Sequence, residues 1–219
     1  MRDPRKDRDD MALRRENMLR VAYRLFSENS ITSVSMADIA KEAGCGRKTL
    51  FRYYDSKVQL VIAVAVRQWR EFLAENRKRR PDDGFAEMSA EEVFAFYLDS
   101  FLILYRDHRD LLRFNQFFNI YILSEKPEEG SMKAYGELAA WLEKEFHIIY
   151  EKALVDHTIR TDIPEKEMFS TMLHVMLAVV TRYAVGLLYR PGDDFDAMRE
   201  LRTIKEALLL QYRSRGCKE

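Results

Sequence analysis

Along this chain of 219 residues, apolar side chains recur every three or four positions, and two-residue alternation never lasts. A chain patterned this way can bury its apolar stripes only by packing helix on helix, since a half-buried strand needs alternation. Glycine and proline are scarce, 8 and 5, so the breaks stand out: "NRKRRPDDG", "SEKPEEG", "RTDIP" and "RPGDD". The pattern predicts an all-α fold. The first helix is expected over 10–29, with Met18, Ala22, Leu25 and Phe26 on one face. Two short helices follow up to Tyr54, and then a long one with the stripe Val58, Ile62, Ala65, Trp69 and Phe72. Five more are expected over about 90–106, 109–124, 130–157, 165–189 and 195–213. The charged first ten residues read as disordered.

The formal net charge is zero, but it is unevenly spread. Residues 1–80 carry 19 Lys+Arg against 11 Asp+Glu, a net +8, and the remainder carries 17 against 25, a net −8. That asymmetry suggests a part that faces a polyanion joined to a part with another task. Cys45 and Cys217 lie far apart without a CxxC spacing, so they predict neither a disulfide framework nor a zinc site, and they suit a reducing compartment. The first residues have no apolar core of a secretory signal, and the greasiest stretch, 168–189, is interrupted by His174 and Arg182. A soluble cytoplasmic protein with no membrane partner is expected.

The segment from Met36 to Tyr54 reads as two short helices joined at "AGCG". Ser35 is the expected N-cap of the first, with Asp38 three residues on, and Gly44 its stop. Ala40, Gly44 and Leu50 stand at the fifth, ninth and fifteenth positions of a twenty-residue helix-turn-helix. There a close helix crossing needs a small residue, a turn residue tolerant of positive φ, and an inward apolar residue. The second helix then carries Arg47, Lys48, Thr49 and Arg52, which cannot all pack inward. Arginine can bond guanine O6 and N7 in the major groove, and threonine can meet a thymine methyl or a phosphate. Lys57 falls in the first turn of the next helix, where the macrodipole disfavours a cation unless a phosphate joins it.

The stretch "VAYRLFSENSITSVSMADIAKEAGCGRKTLFRYYDSKVQL", from Val21 to Leu60, resembles the N-terminal domain of the TetR family of transcriptional regulators. The resemblance lies in A-x-x-L-F, I-x-x-V-S-M-x-D-I-A-x-E-A-G and T-L-x-x-Y-[FY]-x-S-K-x-x-L, and covers about the first third of the chain. It implies a helix-turn-helix domain over 1–57, and a helical ligand-binding and dimerisation domain over 58–219, with 58–80 the connecting helix. It implies a homodimer on a palindromic double-stranded DNA operator, usually a repressor, released by a small-molecule effector. By position, Arg47, Lys48, Thr49 and Arg52 would face bases or nearby backbone. Phe51, Tyr53 and Lys57 would lie along phosphates, and Ser35 would cap its helix and reach a phosphate. Two positions depart from the pattern: Phe51 lacks the usual tyrosine hydroxyl, and Gly46 stands where a small polar cap is common.

The segment from Phe94 to Tyr121 holds nine of the 26 aromatic residues. They read either as an aromatic core or as the walls of a roomy pocket for an apolar or aromatic ligand. The candidate lining is Phe101, Tyr105, Phe114, Phe117, Phe118, Tyr121, Trp141 and His174. Asn115, Gln116 and Asn119 are candidate polar handles, and His174 reads first as a core histidine. Glu143, His147 and Glu151 share a helical face, which reads as a solvated stripe rather than a metal site. No cofactor and no catalytic constellation is predicted. The helix over 165–189 is apolar on two sides, so one side is expected to meet a second copy through Met172, Val175, Val179, Tyr183 and Gly186, beside Leu201, Ile204 and Leu208. The open alternatives are a helical carrier or enzyme with an incidental basic head, and a DNA binder without a small-molecule ligand.

Overall fold

A computed structural model describes residues 4–187, 189 and 194–214. Nine α-helices are found among them: α1 (Pro4–Glu28), α2 (Met36–Glu42), α3 (Arg47–Tyr53), α4 (Lys57–Arg77), α5 (Ala90–Asp107), α6 (Arg109–Glu125), α7 (Glu129–Asp156), α8 (Glu165–Ala184) and α9 (Ala197–Tyr212). A single 3-10 turn, Ile31–Ser33, links α1 to α2. By its contacts the chain divides into two compact units, 1–71 with 113–136, and 72–112 with 137–219.

In the first unit, α1 packs on α2 and α2 on α3. Met18, Val21, Ala22 and Phe26 of α1, Ile39 and Ala40 of α2, Leu50 of α3, and Leu60, Val61 and Val64 of α4 are all buried. The part of α6 from Arg113 onward adds Phe114, whose ring meets the edge of Tyr23 at 5.6 Å and stacks on Phe26 at 6.5 Å. Phe118 follows at 6.0 Å and leads to Tyr135 at 4.9 Å. Helix α1 starts at Pro4, so residues 4–10 are helical rather than disordered. Proline is preorganised for the first helical position, and the lysine and arginines after it are good helix formers.

In the second unit, α5 packs against α8 and α9, which also pack on each other. Phe94 of α5 meets Phe146 at 6.0 Å and Tyr212 at 5.8 Å, and Phe146 reaches Phe169 at 5.3 Å. Met168, Met172, Met176 and Val180 form the buried stripe of α8. Ser89 and Glu92 close a capping box at the start of α5. A short antiparallel bridge pairs Ile159 with Arg213: the Arg160 amide donates to Tyr212 at 2.8 Å, and the Ser214 amide to Thr158 at 2.9 Å.

Helix α8 was predicted to run to 189, but it stops at Ala184. Gly186 takes φ +80, its amide donates to Tyr183, and the Leu187 amide donates to Arg182. This is a Schellman stop, in which a glycine in the left-handed region satisfies the last carbonyls. Cys217 lies outside the described residues.

Candidate DNA-reading face

Helices α2 and α3 form a bihelical turn of the kind the sequence predicts. Ser35 caps α2 by accepting from the Asp38 amide at 3.2 Å, and the Asp38 carboxylate returns a bond to the Ser35 amide at 2.8 Å. The Ser35 hydroxyl proton also goes to Asp38, at 2.6 Å. These bonds, the side-chain one first, hold the Asp38 carboxyl below its usual range. The donor that the resemblance offers to a phosphate at Ser35 is therefore already committed inside the cap. At the other end Gly44 takes φ +65, with its amide on Lys41 and the Cys45 amide on Ala40, which is again a Schellman stop.

Helix α3 follows Gly46, an N-cap that offers no side-chain bond, and has no acidic residue in its first turn. Leu50 is its single buried residue, at 0 % exposure, and Tyr54 just beyond is 3 % exposed. Arg47, Lys48 and Arg52 are exposed, while Thr49, Phe51 and Tyr53 are half-buried. The Arg47 guanidinium sits 5.5 Å from the Phe51 ring centroid, and that of Arg52 lies 5.8 Å from Tyr53. A guanidinium over a ring face loses fewer rotamers when it binds. Ser56 caps α4 by accepting from the Gln59 amide at 3.2 Å, and Gln59 reaches back to the Asp55 amide at 3.1 Å. Lys57 is the first residue of that helix and is half-buried.

Three positioning contacts lay outside the sequence reading. Asn17 of α1 donates to the Ala43 carbonyl at 3.0 Å, which ties down the end of α2. Arg15 donates to the Tyr54 hydroxyl at 3.4 Å and lies 5.9 Å from its ring, and burial raises that hydroxyl's pKa. Arg24 pairs with Glu42 at 2.5 Å. The available signal was a polar residue, Asn17, on the apolar stripe of α1. The partners of Arg15 and Arg24 are 39 and 18 positions away, and no local spacing reveals them.

The aromatic candidates separate. Phe114, Phe118 and Tyr121 are buried in the first unit and Phe117 is half-buried there. Phe101, Tyr105, Trp141 and His174 belong to the second. The Tyr105 ring carries Arg109 at 4.5 Å, and Trp141 carries Arg77 at 5.5 Å. His174 is exposed, so it is neither a core histidine nor a wall residue. It lies on the side of α8 away from the methionine stripe. Among the candidate dimer residues, Met172, Leu201 and Leu208 are buried within their own chain and so form core. Gly186 is the helix stop, while Val175, Val179, Tyr183 and Ile204 stay half-buried. The stripe on α7 is used in ion pairs: His147 Nδ1 lies 2.8 Å from Glu165, its Nε2 3.5 Å from Glu151, and Glu143 3.5 Å from Lys166. Among the described residues no group of three or more metal-ligating side chains comes together. Nor is any helix among them long and apolar enough to cross a membrane.

Comparison with known proteins places this turn. Residues 18–64 match the model of bacterial regulatory proteins of the tetR family. An uncharacterised HTH-type transcriptional regulator of Bacillus subtilis is 24% identical over 176 residues, which cover 78% of this chain and 82% of that protein. An HTH-type transcriptional regulator of Staphylococcus aureus is 33% identical over 106 residues, covering 48% of this chain and 55% of the relative, so the match spans about half of that protein. Among solved structures, a TetR transcription regulator from Haloarcula marismortui has a TM-score of 0.70 at 18% identity, covering 93% of this chain and 100% of that one. The ketosteroid transcriptional regulator KstR2 of Mycobacterium tuberculosis gives 0.62 at 17%, covering 92% and 95%. The all-helical fold is thus shared along nearly the whole chain, and residues 18–64 carry the helix-turn-helix sequence of the TetR family of transcriptional regulators.

Proposed function

We propose that the protein is a cytoplasmic repressor that binds a palindromic operator as a homodimer and lets go of it when a small apolar or aromatic ligand enters its C-terminal bundle. The reading gives residues 1–57 to DNA contact and 58–219 to ligand binding and dimerisation, with 58–80 connecting them. The observation that carries it is the two-sidedness of α3. Leu50 and the adjoining Tyr54 are locked in the core, while Arg47, Lys48 and Arg52 stand outward with no acidic residue in the first turn. Arg47 and Lys48 lie in the first turn, where a cation does not stabilise a helix, so the cluster fits contact with a polyanion better than a solvated face. Arg47, Lys48, Thr49 and Arg52 read bases or adjacent backbone, and Phe51, Tyr53 and Lys57 follow the phosphates.

A homodimer fits the half-buried side of α8 and α9, where Val175, Val179 and Ile204 leave apolar surface at the edge of the chain's own core. A neutral ligand is favoured over a cationic one, because Arg109 and Arg77 already occupy the faces of Tyr105 and Trp141. Ligand and operator must then weaken each other by the same factor.

The test is selection of binding sites from random duplex DNA, followed by fluorescence anisotropy on the best duplex at several salt concentrations. A two-fold-symmetric sequence, with affinity falling steeply as salt rises, is expected. Arg47→Ala should lose about 1–3 kcal/mol of discrimination at one base position. Recovery of no enriched sequence would overturn the reading.

A further inference from the structure

The ammonium of Lys57 occupies an unusual place. It belongs to the first residue of α4, at the positive end of a helix 21 residues long whose first turn holds no acidic residue. It is also partly withdrawn from water, and burial lowers its pKa, with the charges of Glu125 and Asp38 acting in the opposite direction. Two unfavourable circumstances thus fall on one cation, and neither neighbour forms an ion pair with it among the described contacts. What lies against it is a ring face: Lys57 Nζ is 5.4 Å from the centroid of Tyr121 on α6.

Tyr121 is 4 % exposed and sits one turn beyond Phe118 in the aromatic row that starts at Tyr23 and Phe26. Its hydroxyl pKa is pushed up to about 12 by burial and by the nearby Glu125 charge, so the ring stays neutral and electron-rich throughout the working range. The negative face of a neutral aromatic ring attracts a cation without neutralising it. A carboxylate in the same place would satisfy the lysine and cancel its charge; the ring holds the ammonium and leaves the full charge for a second partner.

We infer that Tyr121 is a positioning residue for operator binding: its ring face holds the Lys57 ammonium at the start of α4, ready to meet a DNA phosphate. The inference rests on the reading of Lys57 as a phosphate contact and adds to it a residue of α6, far from the helix-turn-helix in sequence. It also gives Tyr121, a candidate for the ligand pocket, a task in the head.

The experiment uses the full-length protein, the selected operator duplex and anisotropy across a salt series. Its variants are Lys57→Ala, Tyr121→Phe, Tyr121→Leu, and each Tyr121 change combined with Lys57→Ala. Lys57→Ala should weaken binding uniformly across operator variants and reduce the salt slope by about one phosphate contact. Tyr121→Phe keeps the ring and should bind like the parent. Tyr121→Leu should weaken binding about fivefold, the scale of one partly desolvated cation–ring contact. On the Lys57→Ala background the same change should cost less than about twofold, as expected for coupled neighbours. Because leucine also removes buried volume, phenylalanines of increasing ring fluorination at 121 supply the shape-neutral version. Affinity should fall stepwise with fluorination when Lys57 is present and stay flat when it is absent. Equal losses in both backgrounds, or a Tyr121→Phe variant as weak as Tyr121→Leu, would overturn the inference while leaving the phosphate contact standing. Parental affinity and salt slope in Lys57→Ala would remove the phosphate contact itself, and the inference with it.

Discussion

The outward side of α3 and the outward side of α8 are both left open by a single chain, and they are open in different ways. On α3 the surface around the core residue is cationic: Leu50 is buried, Thr49, Phe51 and Tyr53 are half-buried, and Arg47, Lys48 and Arg52 are exposed. On α8 it is mostly apolar, from the buried Met172 and Met176 through the half-buried Val175 and Val179 to the exposed His174 and Ala178. A cationic surface stays wet until a charged partner arrives. An apolar one is a surface whose burial is only partly completed within the chain. The first depends on salt, the second on protein concentration.

The strongest way to break the comparison is to remove what anchors α3. Leu50→Ala empties a fully buried site and should cost about 2–5 kcal/mol of stability. Urea unfolding would read it, and operator binding should fall with it. A loss below 1 kcal/mol would mean that α3 is not anchored through Leu50. Ala178→Glu tests the apolar side. It adds an exposed charge that a lone chain tolerates, but that a second copy would have to bury unpaired, for about 3 kcal/mol. Sedimentation should show the dimer dissociating at concentrations where the parent is intact, and an unchanged dimer would place the partner face elsewhere.

The two glycine stops sharpen the contrast. Gly44 and Gly186 both take positive φ, and a Cβ at either meets nothing within 4 Å. Alanine should therefore cost each about 1 kcal/mol of backbone strain and no clash. The thermal shifts should be similar, but only Gly44→Ala should weaken operator binding, because only that stop sets the angle between α2 and α3.

The smallest effect concerns His147, whose pKa is raised mainly by its hydrogen bond to Glu165. The charged form contributes its stabilisation fully below the ordinary histidine value of 6.5, and loses it as pH rises through the raised folded value. His147→Gln should thus destabilise more at pH 5.5 than at pH 8.5. The difference should be about 0.5 kcal/mol or less, because the pair is open to solvent. An equal effect at both pH values would mean that the ion pair contributes nothing.

These two surfaces also mark where the sequence could be read. The head was legible because each of its features is a residue type that only one local geometry tolerates: Ser35 with Asp38 as a cap, Gly44 as a stop, and Leu50 as the inward residue among cations. Helix positions in the rest of the chain were legible by spacing, and most boundaries fell within a few residues. The end of α8 was missed because Gly186 sits among apolar residues that keep the helical period going past it. Met172, Leu201 and Leu208 were misplaced because apolar residues face a second copy and their own core with the same chemistry. Only the packing of α5 against α8 and α9 tells the two apart. His174 was misread for the opposite reason. Its apolar neighbours in sequence point elsewhere around the helix, and it follows the exposed Ala178 rather than the buried Met172 and Met176.

The basic stretch at the end of α4, "NRKRRPDDG", reads in sequence as a break between helices. In the fold, Arg79 lies 5.5 Å from the Phe96 ring, and Arg80 pairs with Glu145 and donates to the Tyr97 hydroxyl at 3.2 Å. Burial pushes that hydroxyl's pKa up to about 12. The charge was visible in the sequence. The aromatic partners were not, because they lie a helix or more away.

The bridge between Ile159 and Arg213 bears on how the last helix ages in solution. Helix ends normally fray, and their amide protons are the first to be traded for deuterium. At the end of α9 the Tyr212 carbonyl is held by the Arg160 amide, the Ser214 amide is held by Thr158, and the Arg213 guanidinium is clamped on Glu91 of α5. Three fastenings on different parts of the chain cannot open one residue at a time. Deuterium should therefore enter at Arg160 and Ser214 late and together, on the clock of the helices around them rather than that of a loose end.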